Sequence, residues 1–160
     1  MLKKTNNILL IFFLLIISTS LIAAFFVQYG LGHQPCKLCI YQRIPYILSI
    51  FLIVELIFFK KNEKTTLLLL SLVFIISTIL AFYHLGIEQG FFKESFMCEN
   101  KDFSETLTKD QLLEQLKQNS VSCKNVSFKV LGLSLASINV IFSFILSAIF
   151  IRLFLNYGKN

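Results

Sequence analysis

Apolar residues along this chain gather into four long blocks separated by polar joints, rather than into the periodic stripes of a water-soluble core. The first block, Ile8 to Val27, is broken only by Ser18, Thr19 and Ser20 and follows Lys3 and Lys4. The second runs from about Ile44 to Phe59, the third from Leu67 to Phe82, and the fourth from about Val130 to Leu155. About 20 apolar residues cross a bilayer as a helix. The pattern therefore predicts spanning helices at about residues 8–27, 41–59, 66–84 and 130–155. The expected fold class is all-α, an integral membrane four-helix bundle forming one domain over residues 1–160. A secretory signal peptide competes for the first block, with Ile22-Ala23-Ala24 as its small-residue end. Against it, the run is longer than the usual apolar core of about 7–15 residues, and further spans follow. Glu55 lies about one turn from the end of its block and reaches the interface at little cost.

The polar joints orient the spans. Lys60-Lys61-Asn62-Glu63-Lys64 is a short, lysine-rich connection, which the positive-inside rule assigns to the cytoplasm. Threading from there puts both termini on the cytoplasmic side, and loops 28–40 and 85–129 on the other. The second of these is the only soluble-looking stretch. Within it Lys109 to Gln118 reads as a short helix whose Leu112, Leu113 and Leu116 form an apolar strip, lying on the membrane surface or packed on the loop itself.

Composition agrees with lipid as the solvent: 56% of residues are hydrophobic, 15% are charged and the mean hydropathy is +0.73. The net charge of +6 does not signal nucleic acid, because the lysines flank apolar blocks instead of forming a basic face with interleaved aromatics.

Candidate chemistry enters with the cysteines. Cys36 and Cys39 fall in the first outer loop, Cys98 and Cys123 in the second, and none falls in a span. Sulfurs kept out of the helices and on one side point to an oxidising compartment and paired thiols. Cys36-Lys37-Leu38-Cys39 has the C-x-x-C spacing, which allows an easily reduced disulfide and lowers the pKa of one thiol. The same spacing binds zinc, but zinc needs a matching second half, and the chain has only His33 and His84 beside two widely separated cysteines. No metal is expected. Cys98 and Cys123, if bridged, would stabilise the fold by roughly 3 kcal/mol in the chain-entropy model, so a purely structural disulfide is one reading. The other is a thiol–disulfide exchange route from the loop to the lipid boundary, where a lipid-soluble quinone is the evident two-electron acceptor.

Two further residues stand near this pair. Arg43 follows Cys39 by one helical turn and would share its face if the second helix begins there, lowering a thiol pKa or donating to a quinone carbonyl. Snorkelling at a helix end is its bland alternative. Pro45 leaves that helix start open between a first turn and a kink. His84 closes the third block on the same side; it is an interfacial histidine or, in a quinone site, a donor that Glu88 could orient.

Together these residues resemble the bacterial DsbB family of disulfide bond formation proteins. The resemblance rests on four spans, on Cys36-Lys37-Leu38-Cys39-Ile40-Tyr41-Gln42-Arg43 after the first, on Tyr83-His84-Leu85-Gly86-Ile87-Glu88 closing the third, and on a long loop with Cys98 and Cys123. It implies a protein dithiol:quinone oxidoreductase of the bacterial inner membrane. In such a relay a reduced DsbA-like thioredoxin-fold partner attacks the Cys98–Cys123 disulfide, at Cys98, and electrons pass to Cys36–Cys39. Cys39 then reduces ubiquinone or menaquinone, with Arg43 and His84 at the quinone. The DsbA–DsbB–quinone relay is what keeps the bacterial periplasm oxidising. The loop here is lysine-rich and poor in proline compared with that family, which puts the partner's docking surface in question. With no thioredoxin-like domain in the chain, the thiol donor is expected to be a separate protein. Two rival readings are a tetraspan scaffold braced by structural disulfides, and a quinone reductase like vitamin K epoxide reductase, in which the C-x-x-C belongs to the last spans instead of following the first.

Overall fold

The computed structural model describes residues 6–59, 62–93, 123, 129–130 and 132–157. Cys98, the helix expected at residues 109–118, and the lysines at positions 3, 4, 60, 61 and 159 lie outside the described residues.

Among the described residues four helical stretches are long and apolar enough to cross a membrane: Asn7–Gly30, Lys37–Phe59, Glu63–Glu88 and Leu135–Asn156. The first is helix α1 (Asn7–Phe25), begun by Asn6, whose side chain accepts from the Ile8 N–H, and extended by a wider π-helical turn at Phe26–Gly30. The second is two helices in series, a short α2 (Lys37–Tyr41) and α3 (Arg43–Phe59), joined at Gln42. Pro45 falls in the first turn of α3, where its missing N–H costs nothing, so it starts the helix rather than kinking it.

Helix α4 (Glu63–Glu88) runs a full turn past His84. Gly86 does not stop it, because one glycine inside a helix costs only about 1 kcal/mol. The stop is Gly90, which takes φ +79, while the Phe91 N–H donates back to the Gly86 carbonyl at 2.8 Å. The last span starts later than its hydropathy suggests. Strands β1 (Lys129–Val130) and β2 (Leu133–Ser134) pair antiparallel around Gly132 at φ +84, and α5 (Leu135–Asn156) begins only after Ser134, whose hydroxyl caps the Ser137 N–H at 3.1 Å.

These helices are apolar all round, as lipid requires. Ile11, Phe51, Ile79 and Phe144 face outward. Inside, α4 lies along α5 while α1 packs on α3 and α3 on α4. Aromatics fill the centre: Phe74 stacks on Phe150 with centroids 5.5 Å apart, Phe13 meets Phe150 at 5.2 Å, and Tyr46 stacks on Phe142 at 6.1 Å. Small hydroxyl residues Ser49, Ser77 and Ser143 are fully buried between the helices, where they allow close approach; Ser77 and Ser143 bond to each other across it, and Ser49 donates to the Tyr46 carbonyl of its own helix.

Candidate functional site

One end of the bundle holds the sulfur chemistry. The chain leaves α1, crosses residues 31–35 and enters α2 with Cys36 as the N-cap residue. At that position a side-chain acceptor meets the unpaired N–H groups of the first turn. The Cys36 sulfur fills this role, accepting from the Cys39 N–H at 3.2 Å. Cys39 lies one turn further on, and both carry free thiols. Around them Cys36, Leu38, Ile87 and Cys123 form a buried cluster against which Cys39 and Tyr83 pack. Cys123 is disulfide-bonded. The structure thus brings three of the four cysteines to one place; Cys98 is outside the described residues.

His84 is not an interfacial side chain. It is 3% exposed, with Nε2 3.5 Å from the Cys36 sulfur and 3.8 Å from Glu88 Oε1. The Glu88 side chain is 7% exposed, and its Oε2 has no hydrogen-bond partner among the described residues. The Cys39 side chain, by hydrogen bonding, and then His84 pull the Cys36 thiol down from 9.0 to about 5, against the opposing effect of burial. Cys36 is therefore a thiolate at neutral pH in the reduced pair. The ligand atoms of Cys36, Cys39 and His84 lie within 4.8 Å of one another, so the C-x-x-C does gain a histidine from α4 that sequence spacing gave no reason to pair with it.

Arg43 is the first residue of α3, one turn after Cys39 in the helical stretch Lys37–Phe59, which runs through Gln42 in right-handed helical conformation. Its guanidinium turns to α1, donating to Gln28 Oε1 and to the Ala24 carbonyl at 3.4 Å, and lies 4.8 Å over the Phe25 ring. Arg43 still lines a cavity of about 460 Å³ that it shares with Cys36, Cys39, His84 and Glu88. The remaining wall is mostly apolar, from residues such as Val27, Leu21 and Phe142. A volume in this range, apolar with a few convergent polar groups, suits a small-molecule ligand.

Two polar residues were not singled out from the sequence. Gln42 is 7% exposed and bonds His84 at 3.1 Å, and Asn139 of α5 bonds Gln42 at 2.9 Å. Asn139 also bonds Tyr46, which in turn reaches Ser143 at 3.0 Å, and Ser143 reaches Ser77 at the same distance. The signal that could have found them is an amide in or beside an apolar span, which is costly unless paired.

The family model for disulfide bond formation protein DsbB matches residues 6–153. Among curated relatives, the uncharacterized protein RP370 of Rickettsia prowazekii (strain Madrid E) is 29% identical over 143 residues, covering 88% of this chain and 83% of its own length. Disulfide bond formation protein B of Xylella fastidiosa (strain Temecula1) is 30% identical over 124 residues, 73% of this chain and 72% of that protein. Disulfide bond formation protein B of Histophilus somni is 30% identical over 126 residues, with 75% and 70% covered. No solved structure matches the chain significantly.

Proposed function

Since the chain belongs to the DsbB family, whose members are multi-pass membrane oxidoreductases of disulfide bond formation, we propose that it reoxidises a DsbA-like thiol protein and passes the electrons through two cysteine pairs to a membrane quinone. The overall reaction balances: a donor dithiol becomes a disulfide, and a quinone takes up two electrons and two protons as a quinol. The chain's own cysteines begin and end each turnover in the same state. The observation that carries this reading is the meeting of a free C-x-x-C pair, a disulfide-bonded cysteine from the long loop and a buried histidine at the edge of one apolar cavity.

The steps follow from thiol chemistry. The donor thiolate attacks the Cys98–Cys123 disulfide at Cys98, Cys123 leaves as a thiolate, and the donor's second thiol then resolves the mixed disulfide. Cys123 packs in the cluster of Cys36, so exchange into the Cys36–Cys39 pair needs no long movement of α2. That pair draws electrons because its reduced form is favoured: Cys36 accepts from the Cys39 N–H and faces His84, and a stabilised thiolate makes the parent disulfide more oxidising. Cys39 and Arg43 border the cavity that would hold the quinone. Its volume and mostly apolar wall fit such a ring, and the bound ring supplies the two-electron acceptor. Arg43, held by Gln28, Ala24 and Phe25, presents fixed positive charge there. The topology that goes with this function puts both termini in the cytoplasm and the cysteines at the periplasmic surface.

The test mixes purified protein with a reduced thioredoxin-fold donor and a short-chain quinone. Donor oxidation matched by quinol formation, and lost in Cys36→Ser and Cys39→Ser, is expected. Unchanged quinone would support a scaffold with bracing disulfides instead.

A further inference from the structure

The polar groups that lead from α5 to Cys36 form a chain with a direction. The Leu80 backbone carbonyl can only accept, so Gln42 Nε2, 3.4 Å from it, is the donor end of the amide. The same nitrogen lies 3.1 Å from His84 Nδ1, and that ring nitrogen must therefore accept. Behind it, Gln42 Oε1 accepts from Asn139 Nδ2 at 2.9 Å, and Asn139 Oδ1 accepts from the Tyr46 hydroxyl. A neutral imidazole carries one ring proton. With Nδ1 accepting, the proton sits on Nε2, and both groups facing Nε2 are acceptors: the Cys36 sulfur at 3.5 Å and Glu88 Oε1 at 3.8 Å.

We infer that Gln42 and Asn139 are positioning residues for the redox pair, holding neutral His84 as its Nε2–H tautomer so that a ring N–H donor is aimed at the Cys36 sulfur. The value of that donor rests on the reading of Cys36 as a working thiolate; the tautomer itself does not. The Cys36 sulfur then receives two N–H groups, from the Cys39 backbone and from His84. Among the described residues the other charged or titratable groups on the cavity wall are Cys39 beside Cys36, Glu88 from α4, His33, Tyr46, and Arg43, whose guanidinium is turned to α1.

The chain has two histidines, His33 and His84, so the tautomer is directly observable. Full-length reduced protein with isotope-labelled histidine, in detergent micelles under mildly alkaline conditions, is read by heteronuclear NMR of the imidazole nitrogens, with His33→Asn identifying the His84 signals. The expected wild-type spectrum has a pyridine-like shift on Nδ1 and a pyrrole-like shift on Nε2. In Gln42→Glu, where the carboxylate can only accept, the two shifts should exchange. Asn139→Leu, which cuts the chain behind Gln42, should give a mixture of both tautomers. A pyrrole-like Nδ1 in the wild-type protein overturns the inference even if no variant folds. Unchanged shifts in Gln42→Glu or Asn139→Leu would remove that residue from the role. Loss of quinone reduction by a protein that keeps the expected tautomer would instead defeat the proposed function and leave this inference standing.

Discussion

Replacing His84 by leucine should raise the pH at which Cys36 ionises by about one unit. The structure sets the size of the effect. His84 Nε2 is 3.5 Å from the Cys36 sulfur, and both residues are buried. A hydrogen bond to a charged group contributes about 1.5–3 kcal/mol; a long contact to sulfur falls at the low end of that range. One pH unit corresponds to about 1.4 kcal/mol, so the Cys36 midpoint should move from about 5 to about 6. The sign follows from the direction of the shift. Cys36 ionises below the ordinary thiol value of 9.0, so the stabilisation from its thiolate is fully present above that value and disappears as pH falls through about 5. At neutral pH both parent and variant remain thiolates, and the variant's reduced form loses about 1.5 kcal/mol. The potential of the Cys36–Cys39 couple should therefore drop by about 30 mV. The assay is the pH dependence of Cys36 alkylation in reduced protein, followed by peptide mass spectrometry, with a glutathione redox titration alongside. Cys39→Ala should shift the midpoint further than His84→Leu, because hydrogen bonding from the Cys39 side chain is the largest of the lowering causes. A midpoint in His84→Leu equal to the parent's, or a potential that rises, would show that His84 does not stabilise the Cys36 thiolate.

Other consequences can be checked separately. Arg43→Ala removes the charge held by Gln28 and Phe25 at the cavity, and should raise the apparent KM for quinone on the order of tenfold, about 1.4 kcal/mol, while leaving exchange with the thiol donor near the parent rate; steady-state kinetics varying each substrate distinguish the two, and equal losses in both would contradict the assignment. Phe74→Ala opens a hole beneath Phe150 and Tyr46; since only packing is lost between lipid-embedded helices, the expected cost is about 2 kcal/mol, less than the about 3–5 kcal/mol of soluble cores, measured by unfolding in detergent. Membrane-impermeant thiol reagents should label the reduced cysteines in intact spheroplasts, and labelling that needs lysis would reverse the topology.

The spans were legible in the sequence because lipid leaves a chain few alternatives: every backbone group must bond within a helix, and outward side chains must be apolar. Helix ends were less legible, because they depend on local backbone geometry. The third span was expected to end at about residue 84, but the chain adopts the left-handed turn only at Gly90, which lets α4 carry both His84 and Glu88 into the site. Val130 belongs to an apolar run, yet the Gly132 turn pairs it with Leu133 and delays α5. At the site, Cys36 and Cys39 were visible through their spacing. That Cys36 is the lowered thiol was not, since this depends on its N-cap position and on a histidine 48 residues away. The turn of the Arg43 guanidinium toward Gln28 and Ala24 was not legible either, since it depends on how α1 packs on α3. Gln42 and Asn139 belong to no chemical motif, and their sequence signal is only that an amide in apolar surroundings is costly unless paired.

Electron transfer to the membrane requires that a quinone in this cavity meet the Cys39 sulfur. The most direct measurement takes Cys36→Ser as the parent, so that Cys39 no longer gives its hydrogen bond to a Cys36 thiolate, and follows the visible absorption on anaerobic addition of a short-chain quinone at alkaline pH. A charge-transfer band that appears in the parent, weakens in Arg43→Ala and vanishes in Cys39→Ser is the predicted result. No band in the parent, or a band that survives in Cys39→Ser, would contradict it.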